Sequence, residues 1–65
     1  MLLKGNESDF YSLSMRLNIN YKLEYMEITV SFTNKLKNKQ TTKQFSASEF
    51  SRALACYNEI ENMMF

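Results

Sequence analysis

The sequence predicts an α+β fold: a three-stranded antiparallel β-meander with one C-terminal amphipathic helix packed on one face, in the order β-β-β-α. Three observations carry that expectation. Apolar residues alternate with polar ones from residue 11 to residue 25. Residues 27–33 are rich in β-branched and aromatic side chains. Residues 45–65 open on a helix-capping signature and continue at helical spacing.

The alternation is strict. Tyr11, Leu13, Met15, Leu17, Ile19, Tyr21, Leu23 and Tyr25 fall on one phase, with Ser12, Ser14, Arg16, Asn18, Asn20, Lys22 and Glu24 on the other. That is the pattern of a half-buried strand. A single strand of this length would reach about 50 Å, too long for so small a domain, so the chain is expected to turn near residues 20–24. Asn18 and Asn20 are the residues there best suited to left-handed geometry. After Tyr25 the apolar set moves to Met26, Ile28, Val30 and Phe32, the phase shift that a turn or bulge produces. Thr33–Asn38 then reads as a hairpin loop with two asparagines available for positive φ. Residues 39–44 form a weaker, polar strand, whose lysines suit a sheet edge. Residues 1–9, containing Gly5-Asn6, read as a flexible lead-in, which leaves 10–45 for the meander and 46–65 for the helix, all in one domain.

Ser46 and Glu49 form a capping box, flanked by Phe45 and Phe50 as a hydrophobic staple. At 100° per residue the apolar stripe centres on Phe50, Tyr57 and Met64, with Ala53, Leu54 and Ile60 beside them. Glu61 falls inside the stripe, so it should lie at a rim or meet a partner. Cys56 sits at the stripe edge and reads as a packed thiol.

Sixty-five residues make a single domain with a marginal core. One cysteine excludes an intrachain disulfide, and one cysteine without histidine makes a tetrahedral zinc site implausible. A homodimer is the remaining common way to stabilise such a chain. Net charge is +1, which by itself calls for neither nucleic acid nor membrane. Its distribution is uneven: residues 33–45 carry Lys35, Lys37, Lys39 and Lys43 with no acid, while the helix carries Glu49, Glu59 and Glu61 against Arg52. No leader or membrane span is read, and a lone thiol suits a reducing cytoplasm. The abundance of Lys, Asn and Ile, with no Pro, Trp or His, matches AT-rich coding, as in low-GC bacteria and their phages.

Catalysis finds no support. The chain lacks a histidine base, a glycine-rich phosphate loop and a nucleophile motif around Cys56. Glu24 and Glu27 are a close carboxylate pair, but acid–base work would also need a concave pocket. The expectation is therefore a non-enzyme with no cofactor and no metal. The nine Phe and Tyr residues exceed what one helix-on-sheet layer hides, and tyrosine is favoured at protein interfaces. Tyr21, Tyr25 and Tyr11, with Lys35, Lys37 and Lys39, are the candidate partner-binding residues.

The succession of strand, Lys/Asn turn, polar strand and a helix opening Ser46-Ala47-Ser48-Glu49-Phe50 resembles the small phage inhibitors of uracil-DNA glycosylase. The resemblance covers about residues 25–60. It implies a dimeric β-sheet-plus-helix protein that blocks a host enzyme. That family is markedly acidic, whereas this chain is nearly neutral with a basic loop. The reading is a cytoplasmic phage- or mobile-element-type protein that binds and inhibits a host protein, a DNA-processing or defence enzyme. Two alternatives stand beside it: a small nucleic-acid-binding module using Lys35, Lys37, Lys39 and Lys43, and a structural accessory subunit.

Overall fold

A computed structural model describes all residues, 1–65. The architecture is α+β, with an antiparallel sheet and one C-terminal helix, as the patterning predicts. The sheet has four strands rather than three: β1 (Leu2–Glu7), β2 (Tyr11–Asn20), β3 (Tyr25–Asn34) and β4 (Lys39–Ser46), in spatial order 1-2-3-4. A 3₁₀ turn, Ala47–Glu49, leads into α1 (Phe50–Met64).

The added strand corrects the expectation of a flexible lead-in at residues 1–9. Leu2–Glu7 pairs antiparallel with β2, and the register slips between Leu2 and Lys4, so that Leu3 and Lys4 together oppose Met15. This bulge erases the alternation by which a strand is recognised. It also carries Lys4 and Asn6 to the helix side, in register with Met15 and Leu13. The Lys4 ammonium sits 5.0 Å from the centroid of the Tyr57 ring, and Asn6 Nδ2 donates to Glu61 Oε2 at 3.2 Å. Glu61, the acid inside the apolar stripe, thus has its partner in β1.

Each turn opens with a polar side chain that accepts backbone N–H groups ahead of it. Ser8 Oγ takes the amides of Phe10 and Tyr11. Asn20 Oδ1 takes those of Lys22 and Leu23, both at 3.1 Å. Asn34 Oδ1 takes that of Lys37 at 3.2 Å. The later two turns have the same build: four residues, 21–24 and 35–38, ending at a left-handed residue, Glu24 (φ 53°) or Asn38 (φ 51°). The expected turn near residues 20–24 is present, but left-handed geometry falls on Glu24, while Asn20 serves as the acceptor. The phase shift follows from even loop length. Leu13, Met15, Leu17 and Ile19 pair with Phe32, Val30, Ile28 and Met26, so odd positions on β2 share a face with even ones on β3.

The core lies between that face and the helix. Leu13, Met15, Ile28, Val30, Ala53 and Tyr57 are buried, with Leu3, Leu17, Phe32, Phe45, Leu54, Cys56 and Ile60 packed around them. Burying an aliphatic or aromatic side chain contributes about 1.5–3 kcal/mol, so a core this thin leaves little reserve. The buried line of α1 runs through Ala53 and Tyr57, while Phe50 and Met64, expected in the stripe centre, stand at the two ends and are largely exposed. At one end, Phe65 meets Tyr11 edge-on (6.2 Å), and Tyr11 stacks on Phe32 (5.6 Å).

At the helix entrance the Ser46 amide donates to Glu49 Oε1 at 3.4 Å, and the Ser46 hydroxyl donates to the same oxygen at 3.3 Å. Arg52 Nη1 holds the other carboxylate oxygen at 2.7 Å. The Ser46 amide, with the Ser46 hydroxyl and Arg52 adding to it, keeps the Glu49 carboxyl below its ordinary value of 4.5.

Candidate functional site

The outer face of the sheet is polar. Ser12, Ser14, Arg16 and Asn18 on β2 share it with Glu27, Thr29, Ser31 and Thr33 on β3 and with Gln40, Thr42 and Gln44 on β4. Surplus aromatics therefore do not collect there, and Tyr25 alone represents them. The exposed apolar side chains gather at the two ends of the sheet.

The more prominent end is a ribbon built by β2 and β3. β1 is hydrogen-bonded to β2 only as far as Leu17, whose amide and carbonyl meet the carbonyl and amine of Met1. β4 is in register with β3 only as far as Glu27, opposite Ser46. The pairs Ile19–Met26 and Asn20–Tyr25, and the turn 21–24, project beyond both neighbours. They project beyond the helix as well. Fifteen helical residues cover about 22 Å, whereas the ten-residue strands β2 and β3 run about 33 Å.

Ribbon composition makes this projection unusual. Tyr21 is 85% exposed and Leu23 66%, with Ile19, Tyr25, Met26 and, at the start of the helix, Phe50 each more than two-fifths exposed. Isolated surface leucines need no explanation, but an apolar cluster on a projecting element does. A shallow groove of about 450 Å³ runs along its flank, where β4 leaves β3, lined by Tyr25, Met26, Glu27, Gln44, Phe45 and Ser46. The Glu27 carboxylate, through hydrogen bonding and charge, lifts the Tyr25 hydroxyl above its ordinary value, while Asn20 pulls weakly the other way.

The candidate binding residues separate into distinct places. Tyr21 and Tyr25 sit together on the ribbon. Tyr11 is half-buried near the opposite end of β2, stacked on Phe32. Lys35, Lys37 and Lys39 lie at the β3–β4 turn, which is the far end of β3 from Tyr25, about 30 Å away by strand rise. The long dimension of the protein is 37 Å, so Tyr21 and Tyr25 occupy the pole opposite these lysines, while Tyr11 lies at the lysine end, in register with Asn34. Lys35 is engaged internally: its Nζ donates to the Ser8 carbonyl at 3.0 Å and pairs with Glu7 at 3.5 Å. Lys37, Lys39 and Lys43 form no ion pair. Sequence reasoning missed Ile19, Leu23, Met26 and Phe50 as surface residues because it took only the tyrosines of the alternating set as exposed and left the aliphatic residues and the helix stripe to the core. Their one available signal was the mismatch between strand and helix lengths.

No group of three or more His, Cys, Asp or Glu side chains converges to hold a metal ion. No helix is long and apolar enough to cross a membrane. Comparison with known proteins finds no matching family model, no matching curated protein and no matching solved structure.

Proposed function

We propose that this chain is a protein-binding module whose contact surface is the tip of the β2–β3 ribbon, and that it acts as a small inhibitor by occupying a site on a host enzyme. One observation carries the reading: Ile19, Tyr21, Leu23, Tyr25 and Met26 are exposed on an element that projects beyond the neighbouring strands, with Ile19 and Met26 on its helix side, Tyr25 on its outer side, and Tyr21 and Leu23 in the turn between. A two-stranded ribbon held in register by Ile19–Met26 and Asn20–Tyr25 pairing presents such side chains at lower ordering cost than an unpaired loop. Large aromatic and aliphatic anchors at the centre of a contact supply most of its energy. The likeness to phage inhibitors of uracil-DNA glycosylase rests on residues 46–50 and the order of elements. The mimicry of DNA associated with that family does not transfer, because the ribbon is apolar and the chain is +1.

A second copy of the chain competes for the same surface, in keeping with the homodimer expected from chain length. Affinity capture from a low-GC bacterial lysate, beside sedimentation of the purified chain, separates the two. The inhibitor reading expects one protein retained by the natural chain and lost with the double variant Tyr21→Ser/Leu23→Ser, by at least tenfold, as truncation of two central anchors implies. The chain with Lys37→Gln and Lys39→Gln should retain it. Capture that survives the ribbon variant and disappears with the lysine variant would refute the assignment.

A further inference from the structure

Beyond the ribbon, and independent of it, the fold leaves a second unpartnered feature at the β4 edge. The sheet has two edges, and they differ. β1 is short and bulged at Leu3, which spoils it as a template for another strand. β4 keeps unbroken register with β3 from Lys39–Asn34 to Ser46–Glu27, and every residue from 39 to 44 is exposed. Alternate residues along its outer side direct N–H and C=O groups into solvent. The chain contains no proline to blunt this edge.

The edge is also charged in one sense. Lys39 and Lys43 are in register with Asn34 and Val30, on the helix side of the sheet. Gln40, Thr42 and Gln44 occupy the outer side. Lys37 follows in the adjoining turn, and no acidic residue occurs between Glu27 and Glu49. Lysines on an edge oppose pairing with a neutral or basic strand. They equally oppose pairing of two β4 edges. A two-fold centred on Thr41 sets Lys39 of one copy against Lys43 of the other, and one centred on Thr42 still lines a single seam with four lysines and no acid. A strand carrying carboxylates on its helix-side positions meets neither objection.

We infer that β4 receives an extended acidic segment of a partner protein as a fifth, antiparallel strand. Its acidic side chains alternate, facing Lys39 and Lys43 on the helix side. Its intervening residues are small and polar and lie against Gln40, Thr42 and Gln44. Main-chain hydrogen bonds supply the affinity, and the lysines supply selectivity and steering. Nucleic acid shares the negative charge, but this edge offers it no arginine, and its one aromatic side chain, Phe45, packs against the core rather than presenting a platform for bases.

The test is an amide-resolved NMR titration of the full chain with a synthetic peptide alternating Glu and Thr. Its comparators are a Glu-Pro repeat of equal charge, a Lys-Thr repeat and single-stranded oligothymidine. The Glu-Thr peptide should shift the amides of residues 39–44 saturably and slow their hydrogen exchange. The Glu-Pro repeat, unable to form a ladder, should not. The double variant Lys39→Gln/Lys43→Gln should bind roughly three- to tenfold more weakly, and Lys39→Arg/Lys43→Arg should restore binding. An undisturbed β4, equal binding of the Glu-Pro repeat, indifference to the glutamine variant, or tighter binding of oligothymidine than of the Glu-Thr peptide would each overturn the inference.

Discussion

Tyr57 concentrates the fold's tensions in one side chain. It is fully buried, its ring lies under the Lys4 ammonium, and its hydroxyl has no hydrogen-bond partner. A buried hydroxyl without a partner costs about 1–3 kcal/mol. Tyr57→Phe keeps the ring and removes that penalty, so urea unfolding should show a gain of about 1 kcal/mol. Tyr57→Ala should lose about 3–5 kcal/mol. Burial, with the Glu61 charge acting the same way, pushes the Tyr57 hydroxyl above its ordinary value of 10.0. A raised folded value means the group contributes in full below pH 10 and loses that contribution as pH climbs through the folded value. Tyr57→Phe should therefore flatten alkaline denaturation. Glu49 gives the opposite limb. Its carboxyl is lowered from 4.5 by the Ser46 amide, so its contribution is present above that value and lost as pH falls through the lowered one. The urea midpoint should fall over that pH window in the natural chain, and fall less in Glu49→Gln.

At the scale of elements, what was legible in the sequence had a local cause. β2 and β3 showed because one side of each faces a helix and the other faces water, which writes period two directly into the chain. The capping box showed because it is a sequence-local device. β1 stayed hidden because its bulge resets the phase at Leu3, and its middle is Gly5-Asn6, a pair more typical of turns. Gly5 does not use its freedom. No glycine has positive φ, and a methyl at Gly5 would meet Leu13 O and Leu2 Cδ2 at 3.8 Å, an ordinary contact. Gly5→Ala should thus stabilise by about 0.4–1 kcal/mol through the unfolded chain. The left-handed residue of the first long turn is a glutamate, which no propensity favours. Glu24→Gly should relieve about 1 kcal/mol of backbone strain, read as a higher urea midpoint with an unchanged slope. The equivalent change at Asn38 should gain less, since asparagine tolerates that region.

Across the whole molecule, the governing fact is a mismatch of lengths. A helix of 15 residues cannot cover strands of ten, so one end of the sheet runs past its cover and carries apolar side chains into water. The sequence held every residue of that surface but not its location, because burial on a strand depends on where the packing element stops. The same sheet parts Tyr21 and Tyr25 from the lysines and ties Lys35 back to Glu7 and Ser8. The proposal stands on the ribbon pole as the contact site, and a photo-crosslinking amino acid placed singly at position 21 or at position 37 tests it most directly. In lysate, the account predicts a discrete protein adduct from position 21, whatever position 37 captures at the lysine pole. An adduct from position 37 with none from position 21 would contradict it.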